Sequence, residues 1–177
     1  MKQLLILILA IVFLTNCINS KSKIDSMTDS SNELTVDLSN IAIIPLDTTN
    51  NWLFENVEAT NLSDNELQQV EKLLVDCISN YNLEQEKQFE ESVKTNPDYG
   101  FDKQDFIITL ERYKRQYIAM LNEKGEKVVW INCVCGSSND SWKKSIIMVL
   151  DGGNCYFNLK INLTTKEYFE FMVNGYA

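Results

Sequence analysis

The sequence predicts an α+β fold, in which an amphipathic helix (or two) packs on a meander of four or five antiparallel strands. Three patterns predict it: a helix-start signal followed by an apolar stripe, a change to period-two alternation after Phe106, and turn signals between the alternating segments. The 177 residues, 45% of them apolar, suffice for the core of one such domain.

The helix is the most strongly marked element. Ser63 and Glu66 have the spacing of a capping box, in which each side chain satisfies a backbone N–H of the other. The apolar residues that follow recur every three or four positions and form one stripe: Leu67, Val70, Leu73, Leu74, Cys77, Ile78 and Tyr81. Residues 83–95 are rich in Glu, Gln and Lys, and we expect them to form a second, more exposed helix.

The strands begin with residues 41–46, where Pro45 predicts an edge strand or extended segment. Residues 106–121 and 127–135 follow, and the second of these is apolar on alternate positions of both faces, which predicts that both faces are covered. Residues 143–150 are then expected to join residues 155–163 through a hairpin turn at residues 151–154. A turn at residues 163–166 leads to the last predicted strand, residues 167–173.

The first residues predict export. Lys2 precedes residues 4–14, which are apolar without a break. In a helix these residues would extend roughly 16 Å, about half of a ~30 Å hydrocarbon core, so a spanning segment is not expected. A short positive start and a short apolar run are typical of a signal peptide, which we place at residues 1–16.

The run Leu14-Thr15-Asn16-Cys17 resembles the lipobox of bacterial lipoproteins. The resemblance implies cleavage before Cys17, lipidation of its sulfur, and a lipid anchor that holds the protein to a membrane of the cell envelope. Residues 17–39 then form the lipidated end and a polar, flexible tether, and residues 40–177 form the single α+β domain. Lys21 and Lys23 favour a periplasm-facing anchor over surface exposure.

The composition excludes several classes of function. The chain has no histidine, so no Ser-His-Asp, Cys-His or HExxH site can form. Its formal net charge of −9 argues against binding to nucleic acid. The sequence predicts no catalytic residue, no metal ligand and no cofactor, and we therefore expect a non-enzymatic protein.

The four cysteines after Cys17 are Cys77, Cys133, Cys135 and Cys155, and their state is open between a disulfide, buried thiols and a thiolate metal site. Cys133 and Cys135 lie on one face of a strand, too strained in geometry to bridge each other. In a meander Cys155 should lie at the opposite end of the sheet from both of them. Cys77, on the helix stripe, could reach Cys133 or Cys135, and all four cysteines are candidates for a disulfide.

Two groups of side chains are candidates for binding a partner. Tyr113, Arg115 and Tyr117 form a basic, aromatic strip on a strand, for which an ordinary outward strand face is the alternative. The rings of Trp130, Trp142, Tyr156 and Tyr168 could line a groove, and core packing is the alternative for them. These groups favour a module that binds a protein or peptide. The other hypotheses are an enzyme or metal-binding protein that uses Cys133, Cys135 and nearby carboxylates, and a structural envelope component.

The C-terminal half also carries a resemblance. Residues 113–177 are similar to small uncharacterised lipoproteins of Bacteroidota, especially at residues 130–133, 151–157 and 173–177. This family implies an architecture and no specific activity. By analogy, the helix-then-meander order is also similar to cystatin-like and PepSY-like domains, which bind or inhibit partners.

Overall fold

A computed structural model describes residues 37–136 and 139–175 of the chain. The described residues lie within one compact unit. The predicted signal peptide, Cys17 and most of the predicted tether lie outside the described residues. Within the described ranges, no helix is both long enough and apolar enough to cross a bilayer.

The predicted helix start is confirmed. Helix α1 spans Asp64–Thr95, and the Ser63 side chain caps it by accepting a hydrogen bond from the Glu66 N–H at 3.4 Å. The Glu66 carboxylate accepts in turn from the Ser63 backbone N–H at 2.9 Å, which completes the capping box. The apolar stripe faces the sheet, where Leu67, Val70 and Leu74 are buried.

The prediction of a separate second helix at residues 83–95 is wrong, because α1 continues through them without a break. No glycine or proline interrupts this stretch, and its Glu, Gln and Lys residues are good helix formers. One of its few apolar side chains, Phe89, packs edge-on against Phe106, with ring centroids 5.4 Å apart. The polar face of this half stays in solvent.

Six strands form one mixed sheet: β1 (Ile41–Ile43), β2 (Glu58–Ala59), β3 (Tyr113–Leu121), β4 (Lys127–Cys135), β5 (Tyr156–Asn162) and β6 (Glu167–Val173). The order is β1-β3-β4-β5-β6, and β2 also pairs with β3. The pairs from β3 to β6 are antiparallel. The antiparallel pairs β3–β4 and β5–β6 are as predicted, whereas the direct pair β4–β5 is not, because a strand was predicted between them.

The prediction of a purely antiparallel sheet is wrong, because β1 runs parallel to β3. The chain between these two strands includes all of α1. A parallel pair requires such a long crossover, most often through a helix, so the helix determines the direction in which β3 meets β1. The predicted edge position of residues 41–46 is confirmed for β1.

The two faces of the sheet are covered by different material. On the helix face, alternate side chains of β3, β4 and β5 pack against α1. Tyr117, Ile131 and Leu159 are among them, and all three are fully buried. On the second face, Ile118, Met120, Val128 and Trp130 form a smaller core with parts of residues 44–57 and with Ile146. The predicted burial of both faces of residues 127–135 is therefore confirmed.

Residues 143–150 do not form the predicted strand. A 3₁₀ turn, Asp140–Lys143, is followed by irregular chain that lies across the second face. Gly152 and Gly153 have positive φ angles of 89° and 58°, the backbone that the turn signal predicts. They do not close a hairpin, because the chain before them is irregular and the chain after them enters β5.

Candidate functional site

Most residues predicted to bind a partner are buried. Tyr113, Arg115 and Tyr117 lie on the helix face, and Trp130 and Trp142 lie on the second face, all at most 7% exposed. The prediction of an outward strip around Arg115 is therefore wrong, and these five side chains are not accessible to a partner. Of the six candidates, Tyr156 alone is half-buried.

The buried strip includes an ion pair that links the sheet to α1. Arg115 Nη2 lies 3.3 Å from Glu71 Oε2, and both side chains are less than a tenth exposed. Tyr117 donates its hydroxyl to the other Glu71 oxygen. Burial and the adjacent Glu71 carboxylate raise the pKa of Tyr117 well above its ordinary value, so its hydroxyl remains a donor. We assign this cluster to the fixing of α1 on the sheet.

Two of the described cysteines carry unpaired, buried thiols, Cys77 and Cys133. Burial raises the pKa of Cys77 to about 11, and it also raises the pKa of Cys133 well above the ordinary value. Thiols that stay protonated and buried are poor nucleophiles and poor metal ligands. Among the described residues, no group of three or more His, Cys, Asp or Glu side chains is arranged to hold a metal ion.

The disulfide joins Cys135 to Cys155, with the two Cα atoms 5.0 Å apart. The prediction that Cys155 lies far from Cys135 is therefore wrong, and Cys77, which was expected to be able to reach Cys133 or Cys135, is an unpaired thiol. Because residues 143–150 are not a strand, β5 pairs directly with β4, with Val134 opposite Tyr156. The next residue on each side of this pair is a cysteine, and the two side chains meet across the end of the ladder.

Buried amides hold the irregular segment, residues 140–149, on the second face. Gln116 Nε2 donates to the carbonyls of Trp142 and Ser145 at 2.5 and 2.8 Å. Gln116 Oε1 accepts from the Ile147 N–H at 2.9 Å, and Asn132 Nδ2 donates to the Ile147 carbonyl at 2.8 Å. These bonds satisfy backbone groups that regular structure would otherwise pair.

Beyond β4, the second face is covered at the end that carries Tyr156, where Gly152 lies against the Tyr156 ring and Asn174 Nδ2 donates to the carbonyls of Val149 and Asp151. Toward Phe169 and Met172 the face is open. We call this part, formed by Asn158, Lys160, Phe169 and Met172 with Tyr156 at its covered end, the open face. Asn158 pairs with Met172, and Lys160 pairs with Phe169. Met172 is 61% exposed and Phe169 is 38% exposed. Strand β6 is also the last strand of the sheet, so its outer edge carries no partner strand within the described residues.

A groove of about 450 Å³ adjoins the open face. Its apolar lining includes Phe54, Val57, Met120, Val128 and Phe169, which belong to the second face and to the chain that crosses it. Lys160 also lines it and forms an ion pair with Glu170 at 2.7 Å. The groove is large enough for one bulky side chain of a binding partner.

The candidate site therefore differs from the predicted one, except at Tyr156. The sequence analysis did not select Phe169 and Met172, although they occupy alternate positions on either side of a bulge in a predicted strand. The sequence did contain a sign of this exposure. The last strand carries large apolar residues on both faces, and a strand at the edge of a sheet cannot bury both faces. No protein-family model, curated protein or solved structure matches the chain.

Proposed function

We propose that the protein is a lipid-anchored, non-enzymatic module of the bacterial cell envelope that binds an extended segment of a partner protein at the open face. The observation that carries the proposal is the exposed apolar pair Phe169 and Met172 beside an apolar groove and an unpaired strand edge. Exposed apolar surface of this kind marks interaction sites in folded proteins.

The edge of β6 supports a partner in the extended conformation. A peptide that adds to a sheet edge gains main-chain hydrogen bonds and places alternate side chains in pockets beside the strand. Here the groove at Phe169 lies next to that edge. Glu170, with a φ of 49°, interrupts the regular ladder, and such irregularity disfavours indiscriminate edge-to-edge pairing.

Charge supports a partner segment that is apolar and basic. Glu55 lines the groove, and Glu167 and Glu170 lie on β6, whereas Lys160 is already paired with Glu170. The local balance is negative, and so is the whole chain, at −9. Complementary charge speeds association and disfavours like-charged partners, among them a second copy of this acidic edge.

The proposed location rests on the lipobox resemblance at Cys17, and the Cys135–Cys155 disulfide supports it, because disulfides persist in oxidising compartments outside the cytoplasm. We propose that the domain faces the periplasm. The similarity of the helix-then-antiparallel order to cystatin-like and PepSY-like domains supports a binding role only as an analogy of fold.

Site-specific photocrosslinking in cells of the source organism tests the proposal. A photoreactive amino acid at Met172 should crosslink one defined envelope protein through a basic, apolar segment of that protein. The matched control places the same group at Leu83, which is 57% exposed on α1, away from the open face. That position should give no such crosslink.

Charge reversal extends the same test. Replacing Glu167 and Glu170 by lysine should abolish the Met172 crosslink, whereas the same replacement of Glu84 and Glu91 on α1 should leave it unchanged. Equal crosslinking from Met172 and Leu83, or a crosslink that survives the β6 charge reversal, would overturn the assignment of the open face. For the anchor, Cys17→Ser should release the protein from membranes on fractionation.

A further inference from the structure

A second surface, which borders the open face at Phe169, forms a polar cleft of about 1010 Å³. One wall is the middle of α1, and the other consists of the β3–β4 and β5–β6 turns with the start of β6. We call it the polar cleft; the residues used below are Asp76, Asn80, Lys124, Glu126, Lys166 and Tyr168. These six residues lie outside the proposed partner-binding site, whereas Glu167 and Phe169 lie where the two surfaces meet.

Glu126 is held in place by two neighbouring amides. Asn122 Nδ2 donates to Glu126 Oε2 at 2.8 Å, and Asn162 Nδ2 donates to the same oxygen at 3.0 Å. The bonds from Asn122 and Asn162 lower the pKa of Glu126, so the group is a carboxylate at neutral pH. Both bonds use Oε2, and Oε1 is left as an acceptor for a ligand.

A second polar pair joins the two walls. Asn80 Nδ2, on α1, donates to the Tyr168 hydroxyl oxygen at 3.0 Å. The bond leaves the Tyr168 hydroxyl hydrogen as a donor and the Asn80 carbonyl oxygen as an acceptor. The Tyr168 ring is 37% exposed, so the cleft also offers part of an aromatic surface.

The charges in the cleft nearly cancel. Asp76, Glu126 and Glu167 supply three carboxylates, and Lys124 and Lys166 supply two ammonium groups. A site for phosphate requires a concentrated positive field, and no group of described residues has the arrangement that a metal ion requires. The remaining ligand class is neutral and polar, with many groups that both donate and accept hydrogen bonds.

We propose that the polar cleft binds a short neutral oligosaccharide. Each sugar hydroxyl can donate to a carboxylate such as Asp76 or Glu126 and accept from an ammonium or amide group. The C–H faces of sugar rings pack against aromatic rings such as Tyr168. The volume is at the upper end of ordinary ligand sites, which suits several sugar units better than one.

Isothermal titration calorimetry with the full lipidated chain, in a detergent without a sugar headgroup, tests this. The probes are neutral oligomers of glucose in α and β linkage, of mannose and of N-acetylglucosamine. At least one should bind, and Asp76→Ala or Tyr168→Ala should weaken its binding by about tenfold or more, as expected for loss of a contact with a charged group or of ring packing.

The matched control is Glu123→Ala, which removes a carboxylate from the same β3–β4 turn but outside the cleft, and it should leave the affinity unchanged. Thermal unfolding of each variant separates lost binding from lost folding. The proposal is overturned if no oligomer binds at millimolar concentration, if the Asp76 and Tyr168 variants bind as the wild type does, or if a polar peptide occupies the cleft instead. Failure of the Met172 crosslink in the unmutated protein would leave this result unaffected, because Asp76 and Tyr168, the residues varied here, are not members of the open face.

Discussion

The two faces of the sheet bury polar groups in different ways. Beneath α1 the buried polar set is charged and joins side chain to side chain, with Arg115 and Glu71 at 3.3 Å. Beneath residues 140–149 it is neutral and joins side chain to backbone, with the Gln116 and Asn132 amides bonded to main-chain groups. Each arrangement fixes a covering element on the sheet, the charged one on β3 and the neutral one on β3 and β4.

The difference follows from what each cover requires. A helix pairs its own backbone groups internally, so α1 needs only side-chain contacts with the sheet. An irregular segment cannot do so, and its buried N–H and carbonyl groups must be paired by side chains. An amide does this well, because it donates and accepts at once.

Removal of Glu71 should have the largest effect. Glu71→Ala leaves the Arg115 charge buried without its carboxylate, and we expect the free energy of unfolding to fall by about 3–5 kcal/mol. Urea unfolding followed by circular dichroism measures it. The control Glu84→Ala, which breaks an exposed pair with Lys87, should change stability little. If the two variants are equally stable, the cluster does not fix α1 on the sheet.

The disulfide bounds the irregular cover and should have the next largest effect. Cys135 and Cys155 are 20 residues apart, and closure of a loop of that length is worth about 3 kcal/mol through the unfolded chain. Joint replacement of Cys135 and Cys155 by serine should therefore lower the free energy of unfolding by about this amount. Replacement of the unpaired Cys133 by alanine under reducing and oxidising conditions is the control, since its effect should not depend on redox state.

The amide contacts should contribute less. Asn132→Leu removes the donor to the Ile147 carbonyl, and we expect a loss of about 1–3 kcal/mol. Hydrogen exchange should quicken in residues 140–149 and stay unchanged in α1. Asn158, opposite Asn132 in the ladder, lies on the open face and provides the matched control. Equal losses from Asn132→Leu and Asn158→Leu would contradict the role of the amide in holding the segment.

The capping box should give the smallest effect, seen as a dependence on pH. The hydrogen bond from Lys127 and that from the Ser63 backbone lower the pKa of Glu66 from 4.5 to about 2. A lowered pKa stabilises the fold at pH values above 4.5, and this contribution is lost as the pH falls from 4.5 to about 2. The stability difference between wild type and Glu66→Gln should shrink over that window. A constant difference would show that the carboxylate charge does not matter.

The sequence predicted the elements of the fold better than the candidate site. Ser63 and Glu66 predicted the start of α1, and alternation predicted β6 to the residue. The site was predicted poorly because its aromatic and basic candidates were expected on the surface, whereas five of the six are buried. Arg115 is buried because Glu71 comes from an element 44 positions earlier in the sequence, a pairing that no local pattern shows.

The sequence by itself determined the α+β class, the capped helix and the antiparallel pairs β3–β4 and β5–β6, because capping, periodicity and turn chemistry act over a few neighbouring residues. The tertiary structure alone decided the direction of β1, the direct pairing of β4 with β5, the Cys135–Cys155 pair and the open face. Strand β1 has three residues, too few to specify a partner, and the crossover through α1 determines its direction. Whether residues 140–149 pair as a strand or lie across the sheet depends on buried amides elsewhere in the chain. That choice brings Cys155 to Cys135 and leaves Phe169 and Met172 uncovered.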